Sequence, residues 1–210
     1  MSCISHPLIR PDSLESREYQ LSIAMKALDA NTMVILPTGL GKTAVALLVA
    51  ASRLYNEKGK VLMLAPTKPL VEQHLRYFEK YLLVKPEGES ISSPFVMFTG
   101  DAPPAERTAD WERATVILAT PQVIKNDLIA GRYTLADVTL MIVDECHRAV
   151  GNYAYVFLAQ RYLSPGGCAL EGVRSLPPAT LLEVTPHGQS ERVYWMPPAV
   201  PRPATLADAT

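Results

Sequence analysis

The chain has 210 residues, 48% of them hydrophobic, and a formal net charge of −1 at pH 7. This length can bury one sizeable core, and the near-neutral charge gives no overall basic character of the kind that indicates a nucleic-acid binder by itself. The 3 cysteines match no disulfide or metal-ligand spacing, and the sequence shows neither a signal peptide nor an apolar run of the roughly 20 residues that a membrane span needs. We therefore expect a cytoplasmic protein with one main domain, no membrane contact and only local contacts to any nucleic acid.

A first helix is predicted over residues 14–30, where apolar residues recur at helical spacing. Asp12 or Ser13 is the expected N-cap of this helix. Gln20 lies near its start, and a glutamine amide can pair with both N6 and N7 of adenine. A solvated helix position is the alternative, but a phosphate-binding loop is predicted a short distance later. Gln20 is therefore a candidate adenine-binding residue.

The next segment predicts a phosphate-binding loop. An apolar run over residues 33–36 is typical of a buried strand, and it is followed by a glycine-containing loop and a long apolar helix. The glycines allow several backbone N–H groups to converge on one anion, and the positive end of the helix dipole points to the same place. The predicted cofactor-binding residues of this loop are Pro37, Thr38, Gly39, Leu40, Gly41, Lys42 and Thr43.

Two of these side chains have expected roles in binding a nucleoside triphosphate and its metal. Lys42 is expected to lie along the β- and γ-phosphates, and the Thr43 hydroxyl is expected to bind Mg²⁺. The strict sequence pattern has a glycine at the position where this chain has Leu36. An ordinary strand-to-helix turn is the alternative interpretation of this segment.

The predicted elements alternate along most of the chain. Helices are predicted over residues 42–55, 70–83, 104–113 and 123–130, and strands over 60–65, 95–98, 115–119 and 138–143. Alternation with short connections predicts an α/β fold with one open parallel sheet and helices on both faces. The loops that follow the strands then share one edge of the sheet, which is where ligands bind in such folds.

The last of these strands ends at two adjacent carboxylates, Asp144 and Glu145. Burying unpaired charge is unfavourable, so this pair predicts a bound cation or a proton transfer. We expect Asp144 to hold Mg²⁺, directly or through water, on the same ion as Thr43, and Glu145 to accept a proton from the attacking water. His147 is expected to link this hydrolytic site to neighbouring loops, and Cys146 to pack. The alternative is a helix N-cap followed by a first-turn acid.

Three further strand-end loops are rich in small polar groups and backbone amides, and one of them contains a lysine. Such groups contact phosphodiesters without reading base sequence. Each loop alone carries little information, but three of them on one sheet edge beside a nucleotide site predict a groove that follows a nucleic-acid backbone. The predicted nucleic-acid-binding residues are Pro66, Thr67, Lys68, Thr99, Gly100, Thr120, Pro121 and Gln122.

In order and spacing, these segments resemble the motifs of superfamily 2 DEAD/DEAH-like helicases over residues 7–163. The segment Arg-Glu-Tyr-Gln over 17–20 is similar to the family's adenine-binding motif, which adds Arg17 to the predicted cofactor-binding residues. The segments Ala-Pro-Thr-Lys-Pro-Leu-Val-Glu-Gln-His over 65–74 and Asp-Glu-Cys-His over 144–147 resemble the archaeal Hef and Fanconi-anaemia M group. The resemblance implies a RecA-like P-loop NTPase domain that uses ATP and Mg²⁺ and acts on forked or branched DNA. RNA-sensing relatives share parts of these segments, so RNA stays open as the substrate.

The resemblance ends near residue 163. Residues 164–210 are rich in proline, lack lysine and show no sustained periodicity, so we expect a helicase domain over 1–163 followed by an irregular Pro-rich tail. In the family, the next element is a strand ending in Thr-Ala-Ser-Pro-Gly, and only residues 164–167 of this chain resemble that motif. We therefore interpret the tail as the product of a deletion with a frameshift or fusion. The missing strand would leave a gap between the phosphate-loop strand and the Asp144 strand. Residues 179–185 are the tail segment best able to replace it.

The leading expectation is the ATP-binding half of a DNA helicase or translocase, which needs a second RecA-like domain as its partner. Nucleotide binding should then depend on Lys42, hydrolysis should be very slow, and unwinding should be absent. A non-catalytic nucleotide- or nucleic-acid-binding module, or an RNA-directed ATPase fragment, is the alternative. A further alternative is a gene product that does not fold stably.

Overall fold

A computed structural model of the chain describes residues 3–37, 39–84, 93–163, 180–185 and 188–193. The chain divides into two compact units, Met1–Ala169 and Leu170–Thr210. No helix among these described residues is long and apolar enough to cross a membrane.

The first unit contains alternating helices and strands, as the sequence predicts. Its helices are α1 (Glu18–Asp29), α2 (Lys42–Asn56), α3 (Lys68–Tyr81), α4 (Pro104–Arg113), α5 (Pro121–Ile129) and α6 (Ala154–Leu163). Its strands are β1 (Lys60–Leu64), β2 (Phe95–Phe98), β3 (Val116–Ala119) and β4 (Val138–Val143), and a short 3-10 turn covers Cys146–Arg148. Helices α3 and α5 each begin two residues earlier than predicted, with a proline in the first two helical positions. Proline is favoured there because the first helical N–H groups need no partner within the helix.

The strands form one parallel sheet in the order β2-β3-β1-β4, which confirms the predicted open α/β architecture. Side chains of a strand alternate between the two faces of its sheet. Val61 and Met63 of β1 therefore pack in the core beneath α1, α2 and α3, whereas Leu62 and Leu64 pack in the core beneath α4, α5 and α6. Because all four strands are parallel, the loops after β1 to β4 lie at one edge of the sheet.

The predicted strand over residues 33–36 is wrong. These residues form no strand, and the Met33 and Ile35 side chains are 62% and 79% exposed. The sheet order ends at β4, so the described residues supply no strand to pair with this segment on the far side of β4. A strand needs a neighbour for its backbone N–H and C=O groups, and apolar composition alone does not provide one. The sheet therefore ends at β4, where the sequence analysis expected a missing strand between the Asp144 strand and the phosphate-loop strand.

The start of α1 also differs from its prediction. The helix begins at Glu18 with Arg17 as its N-cap, because the preceding residues make other contacts. Ile4 N–H donates to the Leu14 carbonyl at 2.9 Å, and Asp12 has a left-handed φ of 56° that a helix cannot contain. The segment around residue 14 thus pairs with the N-terminal residues and does not join the helix.

The second unit contains a hairpin of two antiparallel strands, β5 (Thr180–Thr185) and β6 (Gly188–Val193). The tail segment proposed as a substitute strand does form a strand from residue 180, while residue 179 lies outside the described residues. Its partner is β6, in a two-stranded sheet, and not a strand of the parallel sheet. The expected replacement of the missing strand is therefore wrong: a hairpin pairs neighbouring segments with a short loop, which costs less chain entropy than a distant pairing.

Candidate nucleotide site and strand-end loops

The glycine loop before α2 has the backbone conformation that the phosphate-binding prediction requires. Gly39 and Gly41 have φ values of 86° and 81°, a region that residues with a side chain rarely adopt. Gly41 is the N-cap of α2, so the free N–H groups of the first helical turn face the loop. Leu40 N–H donates to the Pro37 carbonyl at 3.3 Å, which closes the turn, and Thr38 lies outside the described residues.

Lys42 and Thr43 are the first two residues of α2. The Lys42 ammonium donates to the Leu36 carbonyl at 2.6 Å, and the Thr43 side chain is half-buried. Lys42 is near enough to Asp144 for its charge to help lower the pKa of that carboxyl. Helix α2, which begins with Lys42, packs against β4, the strand that precedes Asp144.

Asp144 is held from several directions. Its backbone N–H donates to the Leu64 carbonyl at 2.8 Å, and its Oδ1 accepts the Glu145 N–H at 3.0 Å. His74 Nε2 lies 2.8 Å from the other carboxylate oxygen, Oδ2. The hydrogen bond with His74 lowers the pKa of Asp144, against partial burial, which alone would raise it. The result is a fixed, ionised carboxylate at the end of β4.

His74 is a site residue that sequence reasoning missed. It lies on α3, where its side chain is only 5% exposed, and its Nδ1 has no hydrogen-bond partner among the described residues. A signal was present in the sequence, because His74 follows Val71 by three residues and precedes Phe78 by four, which places it on the buried face of that helix. A histidine on such a face needs a polar partner, and Asp144 is that partner.

Glu145 and His147 extend from the strand end into solvent. Glu145 has a left-handed φ of 52°, which is uncommon for a residue with a side chain and is often found at functional sites. His147 Nδ1 lies 3.3 Å from Glu145 Oε2, and the His147 side chain is 70% exposed. The observed contact of His147 is therefore with the predicted proton acceptor. Cys146 is exposed, so its predicted packing role is wrong; it lies on the short 3-10 turn Cys146–Arg148.

Gln20 packs against the glycine loop. It is 4% exposed, and its Nε2 donates to the Leu40 carbonyl at 3.1 Å and to the Tyr19 hydroxyl at 3.2 Å. The Tyr19 hydroxyl in turn donates to the Leu40 carbonyl at 2.8 Å. Gln20 is thus not a solvated helix residue. Because both contacts are made by the amide nitrogen, the amide oxygen is the part of this side chain left for a further partner. Arg17, predicted with it, is exposed and pairs with Glu15 at 3.0 Å.

The residues predicted to bind nucleic acid lie on loops after three strands, and they differ in exposure. Lys68 is exposed at the start of α3, and its ammonium forms an ion pair with Asp101. Gln122 is also exposed, and its amide donates to Asn126 at 2.8 Å. Thr99 as a whole is only 3% exposed, so in this conformation it is not open to a nucleic acid. The other members are exposed (Thr67, Gly100), half-buried (Pro66, Thr120) or buried (Pro121).

A buried ionic network lies beneath two of these loops. Arg107 of α4 donates two hydrogen bonds of 2.7 Å to Asp127 of α5, and it also donates to the Ala102 carbonyl in the loop after β2. Arg132 and the Tyr133 hydroxyl each donate to Asp127 at 2.9 Å. The network fixes α4 and α5 to each other and to the loop that carries Gly100.

The two side chains predicted to bind the metal have the chemistry that a hard cation requires. Asp144 and Thr43 offer oxygen atoms, and oxygen is the ligand that Mg²⁺ prefers. Within the described part of the chain, no group of three or more His, Cys, Asp or Glu residues could hold a metal ion by itself. A Mg²⁺ ion held by these two side chains would therefore need further oxygens from phosphate or water.

Comparisons with known proteins agree with this geometry. The model of the DEAD/DEAH box helicase family matches residues 17–161. MJ1505 of Methanocaldococcus jannaschii, provisionally named an ATP-dependent RNA helicase, is 41% identical over 174 residues, which are 83% of this chain and 21% of the relative. The DEAD-box ATP-dependent DNA helicase Fancm of Drosophila melanogaster is 38% identical over 163 residues, which are 73% of this chain and 10% of the relative.

A solved structure shows the same fold. The crystal structure of the Pyrococcus furiosus Hef helicase domain matches with a TM-score of 0.68 and 48% sequence identity, over 75% of this chain and 32% of that chain. The present chain thus corresponds to a minor part of each of these longer proteins. The family model, however, spans the glycine loop, the acidic strand end and all the strand-end loops between them. The chain therefore belongs to the DEAD/DEAH box helicase family.

Proposed function

We propose that this chain is the ATP-binding motor domain of a superfamily 2 DNA helicase or translocase, which in its full-length parent couples ATP hydrolysis to the remodelling of forked or branched DNA. The observation that carries this proposal is the left-handed glycine loop that begins α2, because α2 packs against β4, the strand that ends at the fixed carboxylate of Asp144. A cationic loop and an acidic strand end on two packed elements can bind a triphosphate and its metal between them.

Each residue of the site then has a role. Backbone N–H groups of residues 39–43 bind the phosphates, and Lys42 leaves the Leu36 carbonyl to contact the β- and γ-phosphates. Asp144 and Thr43 would hold Mg²⁺, and the metal would neutralise charge that develops on the phosphates. Glu145 accepts the proton of the attacking water, and His147 holds the Glu145 carboxylate in place. The Gln20 oxygen accepts a hydrogen bond from adenine.

Nucleotide binding by the Lys42→Ala variant tests this proposal. The wild-type chain should bind a fluorescent ATP analogue with Mg²⁺, and Lys42→Ala should bind it about 10- to 100-fold more weakly, because a hydrogen bond to a charged group contributes ~1.5–3 kcal/mol. Lys58→Ala is the matched control, since Lys58 is an exposed lysine near the far end of α2. Equal affinity of wild type and Lys42→Ala would refute the nucleotide site.

RNA is the second candidate substrate, because the relative MJ1505 is named for RNA. The same strand-end loops would contact either backbone, since they offer groups that bind phosphates and not bases. Matched single-stranded DNA and RNA oligonucleotides, each titrated into the chain with Mg·ATP, discriminate the two. We expect tighter binding of DNA, and a preference for RNA would favour the second candidate.

A further inference from the structure

Helix α3 connects two parts of the proposed site. Its first residue is Lys68, on the loop proposed to bind nucleic acid, and its buried face carries His74. His74 Nε2 lies 2.8 Å from Oδ2 of Asp144, the proposed Mg²⁺ ligand. One side chain thus joins the helix that starts at the nucleic-acid loop to the carboxylate that would hold the metal of the nucleotide.

This contact determines how the Asp144 carboxylate is oriented. One oxygen accepts the Glu145 N–H at 3.0 Å, and the other is bound by His74 at 2.8 Å. The Glu145 N–H belongs to the same strand end as Asp144, whereas His74 belongs to a separate helix. A displacement of α3 along its axis would therefore move only one of the two groups that orient the carboxylate.

We propose that His74 is a positioning residue that couples nucleic-acid binding at the start of α3 to Mg²⁺-dependent nucleotide binding at Asp144. The inference rests on the proposed function, because it takes Asp144 as the metal ligand and residues 66–68 as a nucleic-acid contact. Coupling between two sites is reciprocal. Nucleic acid should therefore raise the affinity for Mg·ATP by the same factor by which Mg·ATP raises the affinity for nucleic acid. Because the connection ends on a metal ligand, the coupling should require Mg²⁺.

The experiment uses the 210-residue chain and measures the coupling ratio, which is the dissociation constant of the nucleotide without nucleic acid divided by that with nucleic acid. The dissociation constant of a fluorescent ATP analogue is determined with and without saturating single-stranded oligothymidylate, first in Mg²⁺ and then in EDTA. For the wild type we expect the oligonucleotide to tighten nucleotide binding by at least about fivefold in Mg²⁺, the lower end of typical coupling factors. In EDTA the ratio should fall to about one. An equal ratio with and without Mg²⁺ would overturn the inference with no variant needed.

Two variants of His74 test the residue itself. Glutamine places its amide nitrogen near the position of Nε2, so His74→Gln should keep the hydrogen bond to Asp144 and most of the coupling. The shorter amide of His74→Asn cannot reach Asp144, so its ratio should fall to about one. Arg76→Ala is the control on the same helix, since the Arg76 side chain is 74% exposed and pairs with Glu72, away from Asp144.

Further readouts separate positioning from a merely structural role. Two control affinities of His74→Asn are compared with wild type: oligonucleotide binding without nucleotide, and nucleotide binding in EDTA. If His74 has only a structural role, both affinities should fall. If His74 is a positioning residue, both should stay unchanged. If His74→Asn does not fold, His74→Gln becomes the deciding variant. A coupling ratio near the wild-type value would then support the inference, and a ratio of one would contradict it. A folded His74→Asn with the wild-type ratio would overturn the inference. If the wild-type chain does not bind the nucleotide at all, the proposed function itself is refuted. Failure of the proposed function can therefore be told apart from failure of the inference about His74.

Discussion

Arg107 and Asp127 form a two-point ion pair in which both hydrogen bonds measure 2.7 Å and the Asp127 side chain is fully buried. Such geometry matches the fork of the guanidinium to the two carboxylate oxygens. Burial alone would raise the pKa of Asp127, but the hydrogen bonds from Arg107 and Tyr133, together with the charges of Arg107 and Arg132, lower it below its usual value. The pair stands between α4 and α5 and beneath the loop that carries Gly100.

Removal of the carboxylate should destabilise the protein strongly. Asp127→Ala leaves the Arg107 guanidinium buried without its partner, and breaking a buried pair in this way typically costs ~3–5 kcal/mol. Urea unfolding of the variant against wild type measures this loss. Asp110→Ala is the matched control, because Asp110 pairs with Arg113 at 2.7 Å on the surface, where such pairs contribute about 0–1 kcal/mol. Equal losses in the two variants would contradict the prediction.

The same pair predicts how stability depends on pH. A carboxyl with a pKa lowered by folding stabilises the folded state at every pH above its unfolded pKa of about 3.9, and that stabilisation is lost as the pH falls through the folded pKa. The difference in unfolding free energy between wild type and Asp127→Asn should therefore be constant from pH 7 to about pH 5. It should shrink as the pH falls below about 4. A difference that does not change with acidification would contradict the assignment of an ionised Asp127.

The two glycines of the phosphate-binding loop should respond differently to alanine. Both have positive φ, so each substitution should cost ~1–2 kcal/mol of strain. A Cβ on Gly39 meets open space, whereas a Cβ on Gly41 would lie 2.4 Å from Gln20 Nε2. We expect Gly41→Ala to weaken nucleotide binding more than Gly39→Ala. The excess should disappear when both glycine variants are made in a Gln20→Ala background, and an excess that persists there would show that Gln20 is not its cause.

Asp101 should weaken nucleic-acid binding by competing with phosphate for Lys68. The Lys68 ammonium forms an ion pair with the exposed Asp101 carboxylate, which also raises the pKa of Lys68. Asp101→Asn removes one negative charge from the loop, so affinity for single-stranded DNA should rise severalfold at low salt, where exposed charges are screened least. Glu79→Gln is the control, since Glu79 is an exposed acid near the other end of α3. Equal effects of both variants would indicate only a change in net charge.

Ile35 and Ile117 should differ in their contributions to stability. Ile117 of β3 is fully buried, so Ile117→Ala should cost ~2–5 kcal/mol. Ile35 is 79% exposed, so Ile35→Ala should change stability by less than about 0.5 kcal/mol. Thermal unfolding of both variants measures the contrast. A large loss for Ile35→Ala would mean that residues 33–36 form the buried strand that sequence patterning predicts.

The sequence by itself determined the local elements and the order of the motifs. Apolar runs and helical spacing located β1 to β4 and the helices α2 to α5 to within a few residues, because each pattern reflects a local backbone geometry and one buried face. The positions of the glycine loop before α2 and of Asp144 after β4 followed from the same patterns. Parallel strands place Asp144 at the edge shared by the loops after β1 to β4, whereas residues 33–36 form no strand, so the sheet by itself does not place the glycine loop.

Only the tertiary structure decided which of these residues meet. Residues 33–36 have the composition of a strand and yet form none, since a strand exists only where another strand pairs with it. The contact of His74 with Asp144 and the pairing of Arg107 with Asp127 join residues 70 and 20 positions apart. Each partner alone fits an ordinary helix or loop position. The chemistry of the pair arises from distance, burial and direction in space, which the periodicity of a single segment does not contain.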